Sequence, residues 1–491
     1  MQQLTATPPP TRRRGTAALV ALALVLQPWA AQAASTDLAN VPLLVQTGVK
    51  PNVLFTLDNS GSMGWGSITG TDAHGEYTSP YDDAVRAGQS PAMLNTTGAK
   101  NRRAYYSPGY NKQYYNPAIT YVAPVQYDGS APGFLSSMSD SQPTAARIDP
   151  YLDVRLLDLT QSCWSSPSPP DLPRYNAGDF TQNGSCANAP APGQTTEYQR
   201  YAFYYVWKGS GSEDGSPAQD SDGNYDLVQI RSSTLSYPKA GTRTDCGDAT
   251  STSCSFAQEM QNFANWFSYY RTRIQSAKTA LGLAFSALDA KSRVGFSTIN
   301  NNAGQDNVSG QNFVALADFD GPQKQRWYGQ LYGISPTGGT PLVPALDRAG
   351  RYYQTGSMPG AATAQRVDTV PLACTPNYTI LSTDGYWTSR GSVSVGDTDR
   401  TVPDLPANVY ADAATGAVRN DPVAGLPLIP GQNFPAPFYD GTGTSDSLAD
   451  VAMRYWITDL TGTSAGKVQP NPLDPATWQH MVTYTIGLGA S

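Results

Sequence analysis

The sequence predicts an α/β fold: an open, mainly parallel sheet with flanking helices. Short apolar runs that end on aspartate or glycine recur from near the start of the chain to its end. A long stretch with a three-to-four-residue apolar period stands between two of them, and further helical stretches separate the rest. Strands alternating with helices imply parallel pairing, because each crossover returns the chain to the same edge. The first run, Asn52-Val53-Leu54-Phe55-Thr56-Leu57, ends at Asp58 and reads as a buried strand. The periodic stretch follows at about 258–288, where Phe263, Trp266, Tyr270, Ile274, Ala277, Leu281, Phe285 and Leu288 make one helix face, a core stripe. Strands are expected at 293–299, at 378–382 before Asp384, and at 482–487, with a shorter candidate at 313–316. Helices are expected at 324–332, 342–353 and 448–460, with Asp446 and Ser447 placed to cap the last.

Composition narrows the class. The 491 residues carry Lys+Arg 32 against Asp+Glu 39, a formal charge of −7, with a sequence pI near 4.9. That balance argues against a nucleic-acid binder, since phosphate affinity rests on clustered cations. Only two histidines occur, His74 and His480, which excludes a multi-histidine metal centre. Gly 45 and Pro 39 imply long turn-rich loops, yet 10% aromatic content is too high for a disordered chain.

At the N-terminus Arg12-Arg13-Arg14, the apolar run 17–26 and Ala31-Gln32-Ala33 follow one another. This order reads as a cleaved secretory signal peptide over 1–33, with an apolar stretch too short for a membrane span. The mature chain is expected to begin near Ala34, with a charge of −10 once the three arginines are gone, to be exported, and to hold no integral membrane span.

Export permits disulfides. Sequence proximity predicts Cys163–Cys186 and Cys246–Cys254, although four cysteines allow three pairings, and Cys374 is left over. These four lie in the first of two segments that break the alternation, a Tyr/Pro/Gly-rich insertion at 65–255; the second is a loop insertion at about 385–444. Both follow strand ends, where binding loops collect in open α/β sheets. The insertion's tyrosines suit either packing or a contact surface.

The chemistry gathers at Asp58-Asn59-Ser60-Gly61-Ser62, directly after the first strand. A carboxylate and two hydroxyls at alternating positions, on a loop that Gly61 lets fold tightly, can converge on one hard cation such as Mg²⁺, Mn²⁺ or Ca²⁺. Alone, this pattern is equally an ordinary turn. Two later segments add donors: Gly338-Gly339-Thr340 before a helix, and Thr383-Asp384-Gly385 at a strand end.

In that order the segments resemble the von Willebrand factor A domain with its metal-ion-dependent adhesion site (MIDAS). The resemblance implies an A-like sheet that begins over 34–64 and resumes over 256–491. It also implies a metal held by Asp58, Ser60, Ser62, Thr340 and Asp384, with Mg²⁺ the best fit and Mn²⁺ or Ca²⁺ alternatives. Neutral hydroxyls would leave the cation's charge incompletely balanced, so the site would recruit an acidic group: a binding role, with no catalytic residue and no enzyme activity. The 282 residues from Asp58 to Thr340 exceed what a compact A domain needs, which places the first insertion between the first strand and its helix.

Tyr114-Tyr115-Asn116-Pro117, the segment 262–273, Leu448-Ala449-Asp450-Val451-Ala452 and Trp478-Gln479-His480-Met481-Val482 narrow the likeness further. Together they resemble the PilY/PilC family of type IV pilus biogenesis and tip-associated proteins. That resemblance implies pilus assembly, twitching motility and surface attachment. Its expected partners are major or minor pilins, pilus assembly proteins, or a host or abiotic surface receptor; a pure adhesin with no assembly role is the alternative. The expected location is the periplasm, outer membrane or cell surface at the pilus tip. Family members usually continue into a calcium-binding C-terminal β-propeller. Nothing propeller-like is read before Ser491, so a piece of a longer protein is expected.

Other signals are weaker. Asp220–Asp226 begins like a calcium loop but has Tyr225 where an EF-hand wants glycine. Gly462-Thr463-Ser464-Ala465-Gly466 matches a nucleophile pattern without the strand-turn-helix that it needs. His74 is expected in solvent and His480 in a structural role.

Overall fold

Asn52–Leu57 forms strand β1, and all six of its residues are buried, as a strand covered on both faces requires. It pairs in parallel with β2 (Arg293–Thr298) on one side and with β4 (Asn377–Thr383) on the other. β5 (Met481–Gly487) adds in parallel to β4, while β3 (Val314–Asp318) lies antiparallel on the outer edge of β2. The strand order is therefore β3-β2-β1-β4-β5. The computed structural model describes residues 49–66, 103–127, 135–152, 156–157, 159–160, 162–163, 199–200, 202–216, 218–221, 223–247, 250–300, 312–360, 375–385, 389–400, 437–461, 468, 474, 476 and 478–488. The expected signal peptide at 1–33, His74, Cys186, Cys374 and the 462–466 motif lie outside the described residues, as do the side chain of Cys163 and so the expected Cys163–Cys186 pairing.

Alternation along β1 sorts the helices into two layers. Leu54 packs with Leu346 and Tyr353 of α4 (Leu342–Thr355) and with Val451 of α5 (Leu448–Ile457). Phe55, pointing the other way, meets Phe285 of α2 (Arg273–Ser286) edge-on at 5.7 Å. Trp327 of α3 (Gly321–Gly333) stacks on Phe285 at 4.5 Å. Sheet and helices thus form three layers, with fully buried aromatics worth about 1.5–3 kcal/mol each at the core.

The single helix expected at 258–288 is two: α1 (Phe256–Tyr269) and α2. Thr272 is extended, its hydroxyl accepts from the Gln275 N–H (3.2 Å), and the Gln275 carboxamide accepts from the Thr272 N–H (3.1 Å). This capping box starts a new helix. The apolar period continues across the break although Phe263 and Trp266 of α1 face the insertion's core and Phe285 of α2 faces the sheet, so periodicity does not report it; Thr272-x-x-Gln275 does.

The insertion packs on α1. Tyr114, Tyr115, Tyr121, Phe203 and Tyr204 surround Phe263 and Trp266 in one buried cluster, so these tyrosines are core rather than an exposed contact surface. At its centre the wholly buried Arg243 and Glu259 pair at 2.8 Å, and the Tyr115 hydroxyl donates to the other Glu259 oxygen at 2.8 Å. The Ser236–Pro238 and Ser253–Ser255 strands pair, and the expected Cys246–Cys254 disulfide closes the loop between them.

Candidate metal centre

The strand order reverses between β1 and β4, and in open α/β sheets that point opens a crevice at the carboxyl ends of the strands. Asp58 follows β1 and Asp384 follows β4, so topology sets these two carboxylates side by side. Asp58 is fully buried. One oxygen accepts from the Ser60 N–H at 2.8 Å; the other accepts from the Thr383 hydroxyl at 2.9 Å and the Asp384 N–H at 3.3 Å. Burial, then the neighbouring Asp384 charge, push the Asp58 carboxyl up, against the hydrogen bonds from Ser60 and Thr383.

The hydroxyls join the same cluster. Ser60 Oγ and Ser62 Oγ lie 2.9 Å apart, and Ser62 Oγ donates to Asp384 Oδ1 at 3.0 Å. A one-turn 3₁₀ helix, Gly61–Gly64, folds this loop. The loop that carries Thr340 is tied to it: the Gly61 N–H donates to Gly338 O (2.9 Å) and the Thr337 N–H to Asn59 O (2.6 Å). Gly338 sits at φ +70°, and a side chain there would run into the Asn300 carboxamide, so glycine is needed to bring the loops together. Thr340 itself is buried just before α4.

Sequence reasoning missed the counter-charge. Arg273, at the start of α2, donates to Asp384 Oδ2 at 2.7 Å, with the two side chains only 11% and 2% exposed. Its N–H donates to Trp65 O (3.0 Å) and its guanidinium lies over the Trp65 ring. Two carboxylates, two hydroxyls and a nearby buried threonine form a hard-oxygen donor set that fits Mg²⁺, Mn²⁺ or Ca²⁺.

Sequence reasoning also missed an acidic group, Asp397, Asp399 and Asp450, whose carboxyl oxygens lie within 4.8 Å of one another and which can hold a metal ion. The remaining signals have structural partners. Asp220 accepts from the N–H and guanidinium of Arg103, both at 3.1 Å. His480 is buried and bonds Asp474 Oδ2 through Nε2 at 2.8 Å. Among the described residues no helix is long and apolar enough to cross a membrane.

Fold and site together define an open α/β protein with a carboxylate-hydroxyl cluster at its topological switch point. By sequence the chain is similar to "Type IV pilus biogenesis factor PilY1" of Pseudomonas aeruginosa. Identity is 29% over 94% of this chain for strain UCBPP-PA14, 28% over 96% for strain PAK and 29% over 96% for strain PAO1. The chain spans about a third of the length of these relatives (33%, 35% and 35%). The similarity runs along nearly the whole of this chain. No family model matches the chain. No solved structure matches it.

Proposed function

We propose that this chain is an exported, non-enzymatic component of type IV pilus assembly, built on a von Willebrand factor A-like domain over 34–64 and 256–491 with the insertion at 65–255 between. Its metal-ion-dependent adhesion site engages an acidic group on a pilin, an assembly partner or a surface receptor. The observation that carries the reading is the convergence of Asp58, Ser60, Ser62 and Asp384 at the β1/β4 crevice. Asp58, Ser60, Ser62, Thr340 and Asp384 would hold the cation, directly or through water. An octahedral ion so held keeps a position for an incoming carboxylate, and Mg²⁺ favours that geometry. The similarity to type IV pilus biogenesis factors supports pilus assembly as the setting, and the reading assigns the pilus tip as the place.

Asp58→Ala should abolish Mg²⁺ or Mn²⁺ binding in calorimetric titration while near-UV circular dichroism stays native; unchanged affinity overturns the site. In cells, a deletion strain is complemented with the full-length gene, with or without Asp58→Ala and Asp384→Ala, and surface pili and twitching are scored. Failure of the variant gene to restore pili assigns the site to assembly. Restored pili with poor attachment assign it to adhesion.

A further inference from the structure

We propose a second divalent-cation site formed by Asp397, Asp399 and Asp450, apart from the β1/β4 crevice. Asp397 and Asp399 flank Thr398 at a short 3₁₀ turn, Thr398–Arg400, and Asp450 is the third residue of α5, against which that turn packs. Asp450 is fully buried and Asp399 is 1% exposed. Asp450 already accepts from the Asp399 N–H (3.0 Å) and, through its other oxygen, from the Ser447 N–H (2.8 Å). Those bonds fix its direction and leave each oxygen a second lone pair.

The observation that points to a ligand is separate from the clustering. Asp399 Oδ2 accepts from the Asp440 N–H at 2.9 Å, but its Oδ1 is buried and receives no hydrogen bond, and the same holds for Asp397 Oδ1. A buried carboxylate oxygen without a hydrogen bond has lost its water with nothing in exchange, and a second beside it adds repulsion. The ion pair given for the group is Arg400 to Asp397 at 3.6 Å, on a half-exposed guanidinium, which is too long and too wet to balance three carboxylates. The group accommodates its charge poorly without a cation.

The spacing suits a divalent cation: oxygens bound to one Ca²⁺ at about 2.4 Å stand at most about 4.8 Å apart, and the carboxyl oxygens of Asp397, Asp399 and Asp450 lie within 4.8 Å of one another. Such a site would tie the Thr398–Arg400 turn to the start of α5.

Calorimetric titration of the purified chain with CaCl₂ tests this. The Asp399→Asn variant should bind one equivalent fewer than the parent, and the rise in Tm that Ca²⁺ gives the parent should shrink in the variant. The lost event should persist in Asp58→Ala, which separates it from the crevice site. An Asp399→Asn protein that is native by near-UV circular dichroism and binds as many equivalents at unchanged affinity overturns the proposal. Where Asp399→Asn does not fold, Asp397→Asn, a half-buried change outside the helix, should weaken that event at least tenfold; unchanged binding there overturns it equally.

Discussion

Asp384 is contested between the proposed cation and Arg273. The guanidinium reaches Asp384 Oδ2 at 2.7 Å in a nearly buried setting, so it supplies the charge compensation that Asp58 lacks. A cation entering beside Asp384 would stand close to a second positive charge, and like charges about 4–5 Å apart at an effective dielectric near 20 cost a few kcal/mol. Removing the guanidinium removes that cost, so we expect Arg273→Ala to tighten Mg²⁺ binding by about tenfold at low salt. Arg273→Lys, which keeps the charge, should stay near the parent. Calorimetric titration of the three proteins decides it, and an alanine variant that binds no tighter would count against competition at Asp384. The carboxylate-hydroxyl cluster itself was legible in the sequence because Asp58, Ser60 and Ser62 are neighbours in one loop and Asp384 ends a recognisable strand. Arg273 was not legible, because its relation to Asp384 crosses 111 residues and depends on where a helix begins.

Between elements, the clearest constraint lies where α4 meets α5. Gly350 is buried in the middle of α4, and a Cβ there would fall within the aromatic ring of Tyr455 on α5. Replacing a mid-helix glycine by alanine ordinarily gains up to about 1 kcal/mol. Overpacking ordinarily costs about 1–3 kcal/mol. Tyr455 cannot withdraw freely, because its hydroxyl donates to Asp347 at 2.7 Å. Gly350→Ala should therefore be net destabilising by about 1–2 kcal/mol in urea denaturation, and a stabilised variant would show that α5 can slide. Gly350 looks like a poor choice in a helical pattern until its neighbour is known, which is why it carried no signal in the sequence. The same limit hid the acidic group: 51 residues separate Asp399 from Asp450, and only the packing of a short turn on a helix start joins them. Elements with their own chemistry fared better. The five strands and the helices at 321–333, 342–355 and 448–457 lie where apolar runs and caps placed them, whereas the antiparallel sense of β3 was not readable, since a short apolar run carries no direction.

For the molecule as a whole, the parallel sheet tolerates a long insertion because β1 needs β2 and β4 in space, not in sequence; pairing along β1 engages residues 241 to 325 positions away. The insertion in turn gains its own core on α1, so what reads as loop composition is folded through its tyrosines. The sheet's last strand is anchored by charge. His480, just before β5, donates through Nδ1 to Trp478 O (2.7 Å) and bonds Asp474 Oδ2 through Nε2, and its ring lies beside Trp456 of α5. Burial works against the imidazolium, but the Asp474 charge and the hydrogen bonds to Asp474 and Trp478 outweigh it, so the net shift of His480 is upward. The sign follows from linkage: a histidine whose folded pKa exceeds its unfolded value near 6.5 binds protons more readily when folded. Its stabilising contribution is full below about pH 6.5 and is lost as pH rises through the folded pKa. Glu259, raised chiefly by burial, tilts stability the same way from about pH 4.3 upward. We therefore expect His480→Gln to lower the urea midpoint at pH 6 more than at pH 9. A variant whose midpoint drops equally at both values would show that His480 contributes packing alone, and that the end of the sheet is held without its charge.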